Sequence, residues 1–112
     1  MKVQFSKVFA KTFERVPEKV RKSVVSIINK VIDCSTIYEI PNCKKIESFT
    51  SVYRIRIGDY RAFFILHIQI DGDTVRFEYL VSRGEAYNKK NLNKLRNKDA
   101  WLRKKTGVYN FR

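Results

Sequence analysis

Hydrophobic positions along the chain change period several times, and each change predicts an element. Residues 2–5 alternate briefly and predict a short strand. Ser6 is a residue type that caps helices, and Phe9, Phe13 and Val16 follow it at helical spacing. Pro17 disfavours helical geometry at Val16 and suits the first position of a new helix. Val20, Val24, Ile27, Ile28 and Val31 then form one stripe, with Lys19, Lys22, Ser23, Ser26 and Lys30 mainly away from it. A helical hairpin, or a kinked helix, is predicted over roughly 6–33, and its stripe is read as core.

Cys34 to Cys43, with Ser35, Thr36, Pro41 and Asn42, reads as a loop. After it the period becomes two. In Val52–Ile57, Tyr53, Ile55 and Ile57 share one face while Arg54 and Arg56 share the other. Gly58-Asp59 signals a turn. Tyr60–Ile70 predicts a long strand with Ala62, Phe64, Leu66, Ile68 and Ile70 on one side. Asp71-Gly72-Asp73 contains a strong hairpin signal, and Thr74–Ser82 predicts the next strand with Val75, Phe77, Tyr79 and Val81 in register. Short turns imply an antiparallel meander, and three strands need helices on one face to bury a core. Residues 88–105 predict a basic helix carrying Leu92, Leu95 and Leu102 with Trp101, and Tyr109-Asn110-Phe111-Arg112 reads as a loose end. The expected class is α+β: one small domain, with an N-terminal strand and helical hairpin packed on an antiparallel β-meander.

At 112 residues there is room for one core only. No apolar run approaches the ~18 residues of a membrane span. The N-terminal stretch has no continuous apolar segment or small-residue cleavage site, so no signal peptide is expected. With Cys34 and Cys43 as the two cysteines, reduced thiols and a cytoplasmic location are expected.

Charge narrows the function more. Lys and Arg number 24 against 11 acids, a net +13. That balance points to a polyanionic partner such as RNA, DNA, an acidic protein or an anionic membrane surface. Residues 88–112 hold nine bases and one acid, Asp99, so +8 of the total lies there. Such a run can equally be a solvated helix face.

Most catalytic constellations are missing. His67 is the one histidine, it lies mid-strand, and it reads as a packed or half-exposed residue rather than a ligand. The cysteines lack metal-ligand spacing. Asp71 and Asp73 are explained as turn residues. What remains is arginine. Arg54 and Arg56 share a strand face, the turn at Gly58-Asp59 can bring Arg61 near Arg56, Arg83 ends the following strand, and Tyr87 lies just beyond. Such a cluster is costly unless an anion sits within it. The alternative is a solvated outer face with salt bridges to Glu78 or Glu85.

Val52-Tyr-Arg-Ile-Arg-Ile-Gly-Asp-Tyr-Arg-Ala-Phe-Phe64, followed by a hairpin and Ser82-Arg-Gly-Glu-Ala-Tyr87, resembles the RelE/ParE superfamily of toxins from type II toxin–antitoxin systems. The order of elements matches as well. The resemblance covers about residues 1–90, the expected RelE-like toxin domain. Residues 91–112 are expected to be a basic C-terminal helical extension of that domain. The resemblance implies a ribosome-dependent endoribonuclease that cleaves translated mRNA through metal-free 2′-hydroxyl attack, with no cofactor. It implies a catalytic set of Arg54, Arg56, Arg61, Arg83 and Tyr87, and a cognate antitoxin as partner beside ribosome and mRNA. No membrane or small-molecule cofactor is expected. Lys89, Lys90, Lys94 and Arg96 of the basic tail are expected to meet RNA phosphates. Phe63, Tyr79 and Tyr87 are candidate stacking platforms, with core packing favoured for Phe63.

Several relatives carry Lys where this chain has Arg54 and Arg56. Arginine clamps phosphate but is a poor general base. The spacing of the late arginine from the tyrosine varies within the superfamily. ParE-like relatives share the fold and inhibit DNA gyrase by binding, and a catalytically inactive RNA-binding relative is the other alternative.

Overall fold

The computed structural model describes residues 1–105, with side chains placed through Lys98. The expected loose end at Tyr109–Arg112, and the side chains of Trp101 and Leu102, lie outside the described part. The chain runs β1 (Lys2–Phe5), α1 (Lys7–Arg15), α2 (Glu18–Asp33), a short 3-10 turn (Ile37–Glu39), β2 (Cys43–Lys45), β3 (Val52–Ile57), β4 (Tyr60–His67), β5 (Thr74–Ser82) and α3 (Lys89–Lys105). The five strands form one sheet in the order β1-β5-β4-β3-β2.

The helical hairpin begins and breaks where local chemistry dictates. Ser6 Oγ accepts from the Phe9 amide at 3.0 Å and donates to the Glu78 carbonyl at 2.7 Å, so one hydroxyl caps α1 and ties it to β5. Val16, forced extended by the following proline, ends α1 (φ −73°, ψ 157°). The Arg21 guanidinium of α2 reaches back to the Val16 carbonyl at 2.6 Å and satisfies the open end of α1. Phe9, Val16, Val24 and Val31 are buried, with Phe13, Val20, Ile27 and Ile28 packed around them, as the stripe predicts.

These helices cover one face of the sheet, against Ile55, Ile57, Ala62, Phe64, Leu66, Val75 and Phe77. β3, β4 and β5 form the expected meander. Gly58, the first of two turn residues between β3 and β4, has φ +57°, the left-handed value such a tight turn requires. The sheet is mixed: β1 pairs parallel with β5. The loop after α2 also returns a short edge strand, β2, onto β3.

Two details depart from simple alternation. β4 stops at His67 rather than Ile70, because Ile68 and Ile70 have no core to enter and are exposed. β5 carries a bulge: Phe63 pairs with Tyr79 but Phe64 pairs with Phe77, which leaves Glu78 as the extra residue. Val75 and Phe77 therefore face α1 and α2, while Tyr79 joins the opposite face. There a second cluster forms from Phe49, Val52, Phe63, Ile65, Tyr79, Ala86 and Leu95, with Ile46, Val81 and Leu92 at its margin. Helix α3 thus covers the face opposite the hairpin. Tyr79 is buried within this cluster, so it is core rather than a stacking platform, as is Phe63.

Candidate functional site

The second face of the sheet divides in two. α3 covers the part around Val52, Ile65 and Tyr79. The part next to the Gly58 turn carries arginine. Arg54 pairs across the strands with Phe63, and Arg56 pairs directly with Arg61. Directly opposed residues of an antiparallel pair share a face, so alternation in β3 and register with β4 bring all three guanidinium groups to one surface.

Backbone carbonyls hold Arg61, Arg54 and Arg83 in place. Arg61 Nη1 donates to the Gly58 carbonyl at 2.8 Å and to the Tyr60 carbonyl at 2.9 Å, which folds the side chain over its own turn. Arg54 Nη1 donates to the Asn42 carbonyl at 3.3 Å. The Arg83 amide donates to the Asp59 carbonyl at 2.7 Å, which brings the residue after β5 against the same turn. Tyr87 stands edge-on to the buried Phe63 ring, with centroids 6.0 Å apart, and is 54% exposed, so a broad part of its ring is open to solvent. The five residues expected as a catalytic set are therefore brought together. The Arg61 guanidinium is held below its usual range, first by loss of solvation and then by Arg56 and Arg54, with a smaller push from Arg83; the Tyr87 phenol acts in the opposite sense.

Among the described residues no carboxylate forms an ion pair with Arg54, Arg56, Arg61 or Arg83. Glu78, a possible partner by sequence, is instead buried under α3 and bound to Arg76 (3.0 Å) and Lys98. The unpaired arginines form a concentrated positive surface that can accept the non-bridging oxygens of a phosphate through paired N–H donors. No three His, Cys, Asp or Glu side chains gather as a metal-binding group among the described residues. No helix there is long and apolar enough to cross a membrane.

The tail residues separate by position. Lys89, Lys90 and Lys94 are exposed on the first turns of α3, where Asn88 caps the helix by accepting the Lys90 amide at 2.7 Å. Arg96 turns back over the Phe49 ring, 5.2 Å from its centroid, so its stem helps seat the helix. Sequence reasoning missed Lys44. It lies opposite Arg54 in the β2–β3 register and extends the basic surface toward the sheet edge. Its strand is three residues long, too short for alternation to be read; the Lys44-Lys45 pair was the only available signal.

No family model matches the chain. A curated relative named Toxin RelE3, from Methanocaldococcus jannaschii, is 34% identical over 89 residues, which span 79% of this chain and 97% of the relative. The solved RelB-RelE antitoxin-toxin complex from Methanococcus jannaschii is similar at 28% identity and TM-score 0.63, covering 76% of this chain and 95% of that one. The archaeal RelE-RelB complex from Pyrococcus horikoshii shares the fold at 20% identity and TM-score 0.56, over 76% of this chain and 97% of that one. The 34% identity over nearly the whole length of Toxin RelE3 and the arrangement of β1, the helical hairpin and the meander place this chain in the RelE family of toxins of toxin–antitoxin systems.

Proposed function

We propose that this protein is an endoribonuclease toxin that cleaves translated mRNA on the ribosome in the cytoplasm and is held in check by a cognate antitoxin. The observation that carries the reading is the opposition of Arg56 and Arg61 across β3 and β4, flanked by Arg54, Arg83 and Tyr87 and, among the described residues, with no carboxylate in an ion pair with any of the four arginines. Like charges set directly opposite one another destabilise a sheet. An RNA phosphate between them reverses the sign of that interaction.

RNA carries its own nucleophile. The 2′-oxygen attacks the adjacent phosphorus in line, the bond from phosphorus to the 5′-oxygen breaks, and the products are a 2′,3′-cyclic phosphate and a free 5′-hydroxyl. The protein has to orient the strand, remove the 2′ proton, hold the charge on the five-coordinate phosphate and return a proton to the leaving oxygen. Arg54, Arg56 and Arg61 supply fixed donors for that charge, and a single such donor is typically worth about 10²–10³ in rate. Arg61 is the best placed, since its bonds to the turn carbonyls orient it before substrate arrives. Arginine does not exchange protons at neutral pH. Proton transfer therefore falls to Tyr87, whose ring rests against Phe63 and whose phenol is electrostatically coupled to Arg61.

The related solved complexes pair a RelE with a RelB. A net charge of +13 suits an antitoxin with an acidic segment that covers the basic surface, which would speed association and make it salt-sensitive. The test of function is primer extension on a translated message after toxin induction, with chemical identification of the new ends. Cleavage within the reading frame with cyclic or 3′-phosphate ends supports the reading. Intact mRNA accompanied by gyrase-linked DNA damage would show a ParE-like binding toxin instead.

A further inference from the structure

A cleft of about 370 Å³ opens beside the arginine cluster, between α2 and the end of β3. Its walls are Lys22, Ser23 and Ser26 from the helix and Arg56, Ile57 and Gly58 from the strand and turn, over Ile27. We propose that this cleft is a second phosphate-binding subsite, which receives the RNA backbone next to the phosphate held by Arg54, Arg56 and Arg61. The proposal rests on the RNA-cleavage reading above and names part of its substrate track.

Three features of the cleft support it. The first is its chemistry. Lys22 and Arg56 are among the residues that line it, and no carboxylate is among them. Glu18 does reach Lys22, but at 3.7 Å between two well-exposed side chains. Such a pair on a helix surface is worth little, so the ammonium is free to exchange it for a phosphate. Ser23 already donates to the Lys19 carbonyl at 3.2 Å, which leaves the Ser26 hydroxyl as the donor for an incoming oxygen.

The second is shape. Gly58 is on the cleft wall, and a Cβ built there meets nothing within 4 Å. The wall is bare backbone where a strand can pass closely. The half-buried Ile27 gives an apolar floor against which a ribose can rest, and the volume falls in the range of small-ligand sites, about 300–1,000 Å³.

The third is continuity. Arg56 belongs to both places: it lines the cleft and stands opposite Arg61. A polymer with a charge at every nucleotide can satisfy both at once, whereas a single small anion can occupy only one. The cleft thus suits a single RNA strand running from the cluster toward α2.

The experiment measures binding of fluorescent single-stranded RNA to the full chain by anisotropy across a salt series. The oligonucleotides are 2′-O-methylated, so that they lack the attacking hydroxyl, and range from two to ten nucleotides. Lys22→Gln removes the helix cation, Ser26→Ala removes the hydroxyl, and Lys11→Gln removes one charge from an exposed position on α1. Lys22→Gln should weaken binding of the longer oligonucleotides about three- to tenfold. It should also reduce the slope of log affinity against log salt by about 0.7, one phosphate contact on a single strand. Ser26→Ala should weaken binding in the same length range, and Lys11→Gln should stay within about twofold of the unaltered protein. The penalty should be absent for oligonucleotides too short to leave the cluster. Equal losses for Lys22→Gln and Lys11→Gln, or a Lys22 penalty independent of length, would overturn the subsite while leaving the cleavage reading in place. No measurable binding of the longer oligonucleotides by the unaltered chain would overturn the subsite, and absence of cleaved message in cells would overturn the cleavage reading as well.

Discussion

Glu78 offers the sharpest test of how α3 is held. It is the extra residue of the β5 bulge, and its side chain is 3% exposed. One carboxylate oxygen accepts from Arg76 Nε at 3.0 Å and the other from Lys98 Nζ of α3. Lys98 also passes over the Tyr79 ring, 5.9 Å from its centroid. In Lys98→Met the stem and its packing persist and the ammonium is lost. One side of a buried carboxylate then has no protein donor. A hydrogen bond to a charged group is worth about 1.5–3 kcal/mol, and breaking a fully buried pair about 3–5 kcal/mol. Lys98 is 44% exposed, so water can replace part of what is lost and the lower figure applies, about 1.5–2 kcal/mol. At about 4–8 °C per kcal/mol for a domain of this size, Tm should fall by roughly 6–16 °C. Urea unfolding of the single variants Lys98→Met and Glu78→Gln and of their double variant gives the coupling directly. Hydrogen exchange should localise the loss to α3, whose amides should open before those of β3–β5. A change below about 0.5 kcal/mol in Lys98→Met, with α3 exchange unaltered, would show that apolar contacts at Leu92 and Leu95 seat the helix alone and that the ion pair is incidental.

The other expectations are simpler to state. Burial and Arg76 hold the His67 imidazole below its usual value, with Glu78 opposing. The unfolded chain therefore takes up a proton first, and stability that is constant above about pH 6.5 should decline as the pH falls below it; His67→Gln should flatten that decline in pH-dependent urea unfolding. Burial pushes the Cys43 thiol up to about 11, against the pull of Arg54. Its alkylation by iodoacetamide at pH 8 should be slow in the folded protein and rise to the rate of a free thiol in denaturant, and fast labelling of the folded chain would refute the packing described for β2. Neutralising Lys89, Lys90 and Lys94 together should weaken ribosome co-sedimentation and flatten its salt dependence, with single-turnover cleavage at saturating toxin little changed.

Where local periodicity decides the outcome, the sequence was legible. Strict alternation in Val52–Ile57 put Arg54 and Arg56 on one face, and Gly58-Asp59 set the register that places Arg61 opposite Arg56. Ser6, Val16 and Pro17 marked both ends of α1 and the start of α2 through short-range rules. Long-range contacts were not legible. Nothing within Lys2–Phe5 announces a parallel partner seventy residues away. The bulge at Glu78 depends on Phe63 and Phe64 across the ladder, so period-two counting carried Tyr79 to the face of Val75 and Phe77 rather than to the opposite one, where it is buried. Ile68 and Ile70 continued the alternation of β4 but lie beyond its end and are exposed. In the site itself, residue types and strand faces were readable. The junction of Arg83 to the Asp59 carbonyl and the contribution of Lys44 required the fold.

The central claim is that the arginine surface performs chemistry on RNA rather than only binding it. It is tested most directly by single-turnover cleavage of a ribosome-bound message by Arg61→Ala at saturating toxin, with ribosome co-sedimentation of the same variant measured alongside. Arg61 is fixed to the Gly58 and Tyr60 carbonyls, and many other bases remain to meet ribosomal phosphates. The account predicts a cleavage rate reduced by about 10²-fold or more, with ribosome affinity within a few-fold of the unaltered protein. A loss of binding and cleavage in the same proportion, or cleavage that proceeds at the original rate without the guanidinium, would contradict it.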